Sequence, residues 1–132
     1  MPYILDTNTC IYFLNRSSER IISKMKSLSP SDIKLSTITV AELFFGAEKS
    51  RARKQNWAIV ENFISNFELL PFDGTCCRNY AKIRTSLEKS GSPIGPMDLL
   101  IASITLAHSL ILVTNNVKEF RRVKGLSVEN WI

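Results

Sequence analysis

Three acidic residues lie in sequence contexts that suit chemistry on a charged substrate. Asp6 directly follows a short apolar run, and Glu42 lies inside a second apolar segment. Asp98 comes two residues after Pro96, at the predicted start of a helix. A divalent-cation site requires several carboxylates close together, and a helix N-terminus lowers the electrostatic cost of collecting them. These three acids are therefore candidate catalytic or metal-binding residues.

Each of the three acids also has a purely structural interpretation. Asp is a frequent helix N-cap, and Asp6 precedes a predicted helix. Glu42 lies three residues after Thr39, which is the spacing of a capping box. In the first turn of a helix, Asp98 interacts favourably with the helix dipole whether or not it binds a ligand. Taken one at a time, these residues leave both interpretations open.

Further polar residues follow a predicted strand near the C-terminus. Asn115 and Asn116 come just after that strand, and Glu119 lies one helical turn beyond Asn116. If the segment is helical, Asn116 and Glu119 share a face, although the pair also fits a capping pattern. Asn115, Asn116 and Glu119 are therefore additional candidates.

The histidine and cysteine content excludes several kinds of site. The only histidine, His108, lies near the end of an apolar helix, where packing or a dipole contact accounts for it. A histidine acid–base pair is therefore impossible. Cys10, Cys76 and Cys77 include no Cys-x-x-Cys pair, so they lack the usual spacing of a structural zinc site. An odd number of thiols with an adjacent pair favours a reducing cytoplasm.

Strands and helices alternate along the chain and must position these residues. Short apolar runs predict strands at 3–5, 33–36, 68–72 and 110–113, and an edge strand at 126–128. Helical spacing of apolar residues predicts helices around 11–14, 21–28, 38–47, 57–64, 80–87 and 96–108. Thr7 and Asn8 offer helix-start chemistry for the first of these. Since such strands pair in parallel through right-handed crossovers, we expect a three-layer α/β/α fold.

Length and composition indicate one globular domain, residues 1–132. Apolar residues make up 45% and charged residues 22% of the chain, which is close to the globular average. The formal charge of +5 favours polyanionic partners such as nucleic acid. The N-terminus lacks the basic flank and apolar length of a signal peptide, and no stretch reaches the ~20 apolar residues of a membrane span. We expect a cytoplasmic protein without a membrane contact.

Several segments, taken together, resemble one known family. They are Leu5-Asp6-Thr7-Asn8, Thr39 to Leu43 with Gly46-Ala47, Pro93 to Asp98, Val113 to Phe120, and the ending from Gly125 to Trp131. Their order and joint spacing resemble the PIN-domain toxin ribonucleases of VapC type over essentially the whole chain. The joint spacing, more than any single motif, makes the resemblance specific.

The resemblance implies a PIN-like fold with a parallel sheet of about five strands. It also implies that Asp6, Glu42 and Asp98 converge at one end of the sheet to hold Mg²⁺ or Mn²⁺. The implied activity is that of a metal-dependent endoribonuclease, the toxin of a toxin–antitoxin pair, which cuts structured RNA and often tRNA. The implied protein partners are a VapB-type antitoxin and a second copy of the chain.

The same resemblance suggests a role for each of the three acids. Asp6 and Asp98 are the expected principal metal ligands, because hard oxygen donors suit Mg²⁺ and Mn²⁺. The ion lowers the pKa of a bound water and neutralises charge that develops on the phosphate. Glu42 either ligates the ion directly or orients the attacking water, and the sequence does not choose between these roles.

The polar neighbours of the three acids depart from the family pattern at one position. Many PIN domains carry an acid where this chain has Asn115 or Asn116, and Glu119 is the residue that would compensate. Because an amide adds no negative charge, we expect one ion to dominate. Thr7 and Asn8 are expected to orient the groups beside them.

Two other protein classes compete with this interpretation. Aspartyl-phosphate phosphatases also place an Asp after a strand of a parallel sheet, but their second acid, two residues later, is replaced here by Asn8. A catalytically inactive PIN-fold module that binds RNA or protein would keep the fold and the basic charge. Retention of all three acids disfavours that alternative. DNA is a further possible substrate, because metal-assisted hydrolysis needs no 2′-hydroxyl.

Overall fold

The computed structural model describes residues 2–132 and contains a five-stranded sheet. Its strands are β1 (Tyr3–Leu5), β2 (Ile33–Ser36), β3 (Glu68–Leu70), β4 (Ile111–Val113) and β5 (Ser127–Glu129). They are arranged in the order β3-β2-β1-β4-β5, and every neighbouring pair is parallel. The prediction of an α/β fold with about five parallel strands is confirmed.

Helices connect the strands. They are α1 (Thr7–Leu14), α2 (Glu19–Ser27), α3 (Thr37–Glu48), α4 (Arg53–Ile64), α5 (Gly74–Lys89), α6 (Pro96–Ala107) and the short α7 (Val117–Phe120). A single 3₁₀ turn at Pro30–Asp32 leads into β2. Among residues 2–132, no helix is both long enough and apolar enough to cross a membrane.

Alternation along the strands builds a hydrophobic core on each face of the sheet. In β1, Ile4 packs with residues of α5, α6 and α7, whereas Tyr3 and Leu5 pack with residues of α1, α2, α3 and α4. The neighbouring β4 residues Leu112 and Val113 divide between the two cores in the same way. The sheet is therefore the middle of three layers, as the sequence predicts.

The first helix begins at Thr7, directly after Asp6. Oδ1 of Asp6 accepts a hydrogen bond from the backbone N–H of Thr9 at 2.8 Å, so Asp6 is the N-cap of α1. Thr7 and Asn8 are the first two residues of this helix, so the prediction that they begin it and the N-cap interpretation of Asp6 are both confirmed. The bond also fixes the Asp6 side chain at the end of β1.

The capping-box interpretation of Glu42 is wrong. Ser36, the last residue of β2, caps α3 by accepting a hydrogen bond from the N–H of Thr39 at 3.0 Å. Thr39 is therefore the third residue of the helix and not its cap. Glu42 lies a further turn along α3, where no backbone donor needs a partner, and its side chain is available for other contacts.

Two predicted strands are shorter in the structure. β3 stops before Pro71, which has no N–H to donate to a neighbouring strand. β4 begins at Ile111, because the N–H of Leu110 bonds the carbonyl of Thr105 and so completes the end of α6. The helix itself ends one residue before His108.

Candidate active site

Three polar side chains line up at the carboxyl end of the sheet. Asp6 follows β1, Thr114 follows β4, and Ser36 ends β2. The register of the two strand pairs places these positions side by side across the centre of the sheet. All three side chains are buried, with Asp6 only 4% exposed. In open parallel sheets this edge is where ligands bind.

A helix brings Asp98 to the same edge. A helix that precedes a parallel strand runs antiparallel to it, so the N-terminus of α6 lies at the carboxyl end of β4. Pro96 is the first residue of this helix, and Asp98 lies in its first turn. Because α3 follows β2, it also starts at this edge, and it carries Glu42. Parallel topology thus collects the three acids from distant parts of the chain.

Burial and nearby acids set the charge state of Asp6. Desolvation raises the pKa of Asp6 above its usual range, and repulsion from Glu42 adds to the increase. Hydrogen bonds from the Thr114 hydroxyl and the Thr9 backbone act in the opposite direction. Asp6 is thus held in place by donors that also stabilise its ionised form.

Asp98 has the most perturbed carboxylate of the site. Partial burial, together with repulsion from Glu119, Asp6 and Glu42, raises the pKa of Asp98 from its usual value of 3.8 to about 6. A hydrogen bond from Asn116 partly offsets this increase. The repulsion shows that the four carboxylates share one electrostatic neighbourhood.

Glu42 is held by a hydroxyl from the neighbouring helix. The hydroxyl of Thr7 donates a hydrogen bond to Oε1 of Glu42 at 2.6 Å. The same hydroxyl lies 3.2 Å from Oγ1 of Thr39, one turn before Glu42 in α3. This contact joins α1 to α3 and holds one Glu42 oxygen near the end of β1.

Glu119 is engaged in hydrogen bonds through both of its oxygens. Oε1 accepts the N–H of Gly95 at 2.8 Å, and Oε2 accepts Nδ2 of Asn116 at 2.9 Å. These bonds lower the pKa of Glu119, which therefore carries its charge beside Asp98. Glu119 links α7 to the residue that precedes α6, so it supports the helix that carries Asp98.

The structure brings together most of the candidates from the sequence. Asp6, Glu42, Asp98 and Glu119 interact electrostatically, and Thr7 and Asn116 contact them by hydrogen bonds. Asn8 and Asn115 are exposed, and within residues 2–132 no hydrogen bond joins either side chain to the four carboxylates.

Thr114 is the site residue that the sequence analysis did not single out. Its hydroxyl accepts the N–H of Asn116 at 3.0 Å and hydrogen-bonds the Asp6 carboxylate. The sequence feature that could have identified Thr114 is its position, because Thr114 follows β4 as Asp6 follows β1.

The acids do not form a ready-made metal centre. Among residues 2–132, no three His, Cys, Asp or Glu side chains are arranged to hold one ion. Two of the four carboxylates are engaged elsewhere, since Glu42 accepts a hydrogen bond from Thr7 and Glu119 accepts hydrogen bonds from Gly95 and Asn116. The donor set nevertheless suits a hard cation, because a positive charge relieves the repulsion that raises the pKa of Asp6 and Asp98.

Comparison with known protein families identifies the class of this fold. Residues 3–126 match the PIN domain. The match covers the sheet through β4 and all seven helices, and it includes every candidate site residue. The architecture is thus that of a PIN domain.

Individual relatives narrow the class. The tRNA(fMet)-specific endonuclease VapC of Salmonella typhimurium is 40% identical over 131 residues, which cover 99% of this chain and 98% of that protein. Ribonuclease VapC2 of Rickettsia felis is 41% identical over 132 residues, with the same coverage. The chain therefore belongs to the VapC-type ribonuclease toxins of the PIN-domain family, as the sequence predicts.

Solved structures agree with this assignment. The DNA-bound VapBC from Salmonella typhimurium superimposes with a TM-score of 0.93 at 40% identity, covering 100% of this chain and 99% of that chain. VapBC2 from Rickettsia felis, bound to a DNA fragment from its promoter, gives the same TM-score and identity and covers 100% of both chains.

Proposed function

We propose that this protein is a Mg²⁺- or Mn²⁺-dependent endoribonuclease whose site is built on Asp6, Glu42 and Asp98. The observation that carries the proposal is the repulsion among these carboxylates, which with burial raises the pKa of Asp98 to about 6. A group of acids that repel one another at a ligand-binding edge is unfavourable without a cation. Family membership supplies the reaction class.

Asp6 and Asp98 are the proposed principal ligands. The Thr9 N–H and the Thr114 hydroxyl hold the Asp6 carboxylate at the site, and Asp98 is the less buried of the two side chains. The ion would acidify a bound water and offset charge developing on the phosphate. Glu42 would ligate directly or accept a proton from the attacking water, with its carboxylate held by the Thr7 hydroxyl in either case.

Glu119 and Asn116 are assigned a positioning role. Both oxygens of Glu119 already accept hydrogen bonds, so Glu119 supports the start of α6 more readily than it binds an ion. Asn116 contributes an amide donor to both Glu119 and Asp98. We propose Thr114 as the equivalent support for Asp6, while Asn8 and Asn115 remain exposed candidates for substrate contact.

The proposed substrate is structured RNA, with tRNA as the specific class. A formal charge of +5 favours a polyanion, and a relative that is 40% identical over nearly the whole chain is a tRNA(fMet)-specific endonuclease. Water attack on phosphorus predicts products with 5′-phosphate and 3′-hydroxyl ends. Such a substrate implies that the protein acts in the cytoplasm.

A VapB-type antitoxin is the proposed inhibitor. An apolar groove runs between α1, α3 and α4 and extends to Glu42; it is lined mainly by Ile11, Leu14, Leu43, Ala47, Ile59 and Val60. Ile11 and Ile59 are 41% and 43% exposed, which is costly for a surface that stays free. A partner seated there would cover the acidic site, and similar structures are VapBC complexes.

We further propose that residues 1–132 form a single domain that assembles as a homodimer. The support is the family resemblance and the additional exposed apolar side chains Met97 and Ile132. Sedimentation of the purified toxin measures the assembly directly.

One structural observation favours a second candidate function, an inactive PIN-fold module that binds RNA or protein. Within residues 2–132 the acids are not arranged as a three-ligand centre. The two candidates differ in one outcome, because only the enzyme cleaves RNA when metal is supplied.

The deciding experiment incubates the purified protein with total small RNA, with and without a chelator, and sequences the fragment ends. Asp98→Asn tests the site, and Glu19→Gln, an exposed acid of α2, is the matched control for loss of one negative charge. We expect cleavage that requires metal, leaves 5′-phosphates and is lost only in Asp98→Asn. Cleavage that survives chelation or leaves cyclic phosphates contradicts the mechanism, and no cleavage of any RNA favours the binding module.

A further inference from the structure

One face of α3 extends from the acidic site to the opposite end of the helix. Glu42, Phe45 and Lys49 follow one another at spacings of three and four residues, so they lie in a row on that face. With a rise of 1.5 Å per residue, Phe45 lies about 4.5 Å and Lys49 about 10 Å along the axis from Glu42. Successive nucleotides of an extended strand can span that length.

Phe45 is unusually exposed for a phenylalanine. Its exposed fraction is 65%, the highest among the large apolar side chains described. Its neighbour Phe44 packs instead against Trp57, with ring centroids 4.5 Å apart, and this contact joins α3 to α4. Phe45 therefore contributes little to the core, and its ring is free to contact a ligand.

A cation lies over the exposed ring. Nζ of Lys49 is 5.0 Å from the centroid of Phe45. Beyond it, the turn between α3 and α4 adds Arg51, and the start of α4 adds Arg53 and Lys54, all exposed. Only Arg53 has an acidic partner among the salt bridges described, Glu48 at 3.4 Å. Lys49, Arg51, Arg53 and Lys54 thus outnumber the single acid Glu48 at the end of α3 away from the carboxylates.

The groove proposed for the antitoxin lies on another side of the same helix. It is lined from α3 by Glu42, Leu43, Gly46 and Ala47, and Phe45 is not among its lining residues. Glu42 alone belongs to both surfaces. The row from Glu42 to Lys49 is therefore a separate surface that starts at the same site.

We propose that Phe45 stacks on a nucleobase adjacent to the phosphate at the acidic site, and that Lys49 binds a neighbouring backbone phosphate. An exposed ring beside a cation is the combination that binds single-stranded nucleic acid, because the ring stacks on a base face and the cation neutralises the backbone. Bases in a duplex have no free face, so the segment bound here is single-stranded, as in an RNA loop. That the RNA strand runs from the acidic site toward Lys49 rests on the proposed nuclease function, whereas the binding of RNA by Phe45 and Lys49 does not.

The test measures binding in a background that cannot cut. In an Asp98→Asn background, a short single-stranded RNA with 2-aminopurine at successive positions reports stacking through fluorescence quenching. Phe45→Leu keeps an apolar side chain without a ring, and Phe45→Tyr keeps the ring as the matched control. We expect quenching at one position, lost in Phe45→Leu with roughly tenfold weaker binding, and retained in Phe45→Tyr.

Lys49→Gln tests the second half of the proposal. Removing one phosphate contact to a single strand lowers the slope of log K against log salt by about 0.7. Lys26→Gln in α2 removes an exposed cation on another helix and is expected to leave the slope unchanged.

Several results overturn the proposal. One is unchanged RNA binding and quenching in Phe45→Leu. Another is a Phe45→Leu protein that forms a smaller assembly than the wild type, because that result would show that the ring contacts another subunit. A nuclease that loses no activity with Phe45→Leu contradicts the stacking while leaving the enzyme proposal intact. If the quenching is observed but the protein with Asp98 intact cleaves no RNA, the enzyme proposal is contradicted and the stacking proposal is not.

Discussion

The Thr7 hydroxyl lies 2.6 Å from Oε1 of Glu42 and joins the first turn of α1 to α3. Asp6 immediately precedes Thr7 in the chain and is fixed by the Thr9 N–H. The hydrogen bond therefore couples the position of Glu42 to that of Asp6. It also leaves the second Glu42 oxygen free for water or an ion.

Thr7→Val tests this coupling, because valine keeps the shape of threonine and removes the donor. A hydrogen bond to a charged group contributes about 1.5–3 kcal/mol, so we expect kcat to fall about tenfold or more while KM changes little. Thr7→Ser keeps the hydroxyl and is expected to retain most of the activity. Steady-state cleavage of a fixed RNA measures both constants. Equal rates for Thr7→Ser and Thr7→Val would show that the hydroxyl has no positioning role.

Asp98→Asn is expected to stabilise the metal-free protein while abolishing cleavage. Burial and repulsion from three acids raise the pKa of Asp98 to about 6, so its ionised form destabilises the fold at neutral pH. Removing that charge should raise the free energy of unfolding by about 1–2 kcal/mol after allowance for solvent screening. Urea unfolding in chelator at neutral pH measures the difference. A less stable Asp98→Asn protein would contradict this account of the site.

Protonation of Asp98 should also make metal binding depend on pH. The folded-state pKa lies above the usual value of 3.8, so the associated stability is present at low pH and is lost as pH rises toward about 6. An ion restores that loss only where the carboxylate is ionised. We expect the increase in Tm caused by Mn²⁺ to be small at about pH 5 and to grow through about pH 6. An increase in Tm that is constant across this range would exclude Asp98 as the titrating ligand.

Much of the fold was readable because its local signals agree. Short apolar runs marked β1, β2 and β4 to within a residue, and Pro96 marked the start of α6. The strand pattern placed Asp6 at the carboxyl end of β1, but only the resemblance to PIN-domain ribonucleases predicted that Asp6 and Asp98 converge. Glu42 was harder, because its spacing from Thr39 also fits a capping box that the structure replaces with Ser36.

Long-range contacts account for what the sequence did not reveal. Glu119 contacts Gly95, 24 residues away, and Thr7 contacts Glu42, 35 residues away. Neither contact can be predicted from the periodicity of the sequence, since each depends on how α7 or α1 packs against other parts of the fold. Thr114 was overlooked for a different reason, because a hydroxyl after a strand is common and only burial beside Asp6 distinguishes this one.

Glu119 is expected to hold the start of α6 in place. Glu119→Ala removes the acceptor of the Gly95 N–H and should lower the free energy of unfolding by about 1–2 kcal/mol. Glu119→Gln can still accept that bond through its amide oxygen and should cost less. Urea unfolding ranks the variants, and cleavage rates should follow the same order. A Glu119→Gln protein as damaged as Glu119→Ala would point to a direct role of the charge in catalysis or metal binding.

The composition of the site predicts that one metal ion binds tightly. Both oxygens of Glu119 accept hydrogen bonds, and Asn116 supplies a neutral amide, so little negative charge remains for a second ion. Calorimetric titration with Mn²⁺ should give one tight site, which Asp6→Asn weakens. Asn116→Asp adds a carboxylate and removes the amide that binds Glu119, so this variant should gain a second, weaker site. Two tight sites in the unmodified protein, or none gained in Asn116→Asp, would contradict the argument that charge at this position sets the number of ions.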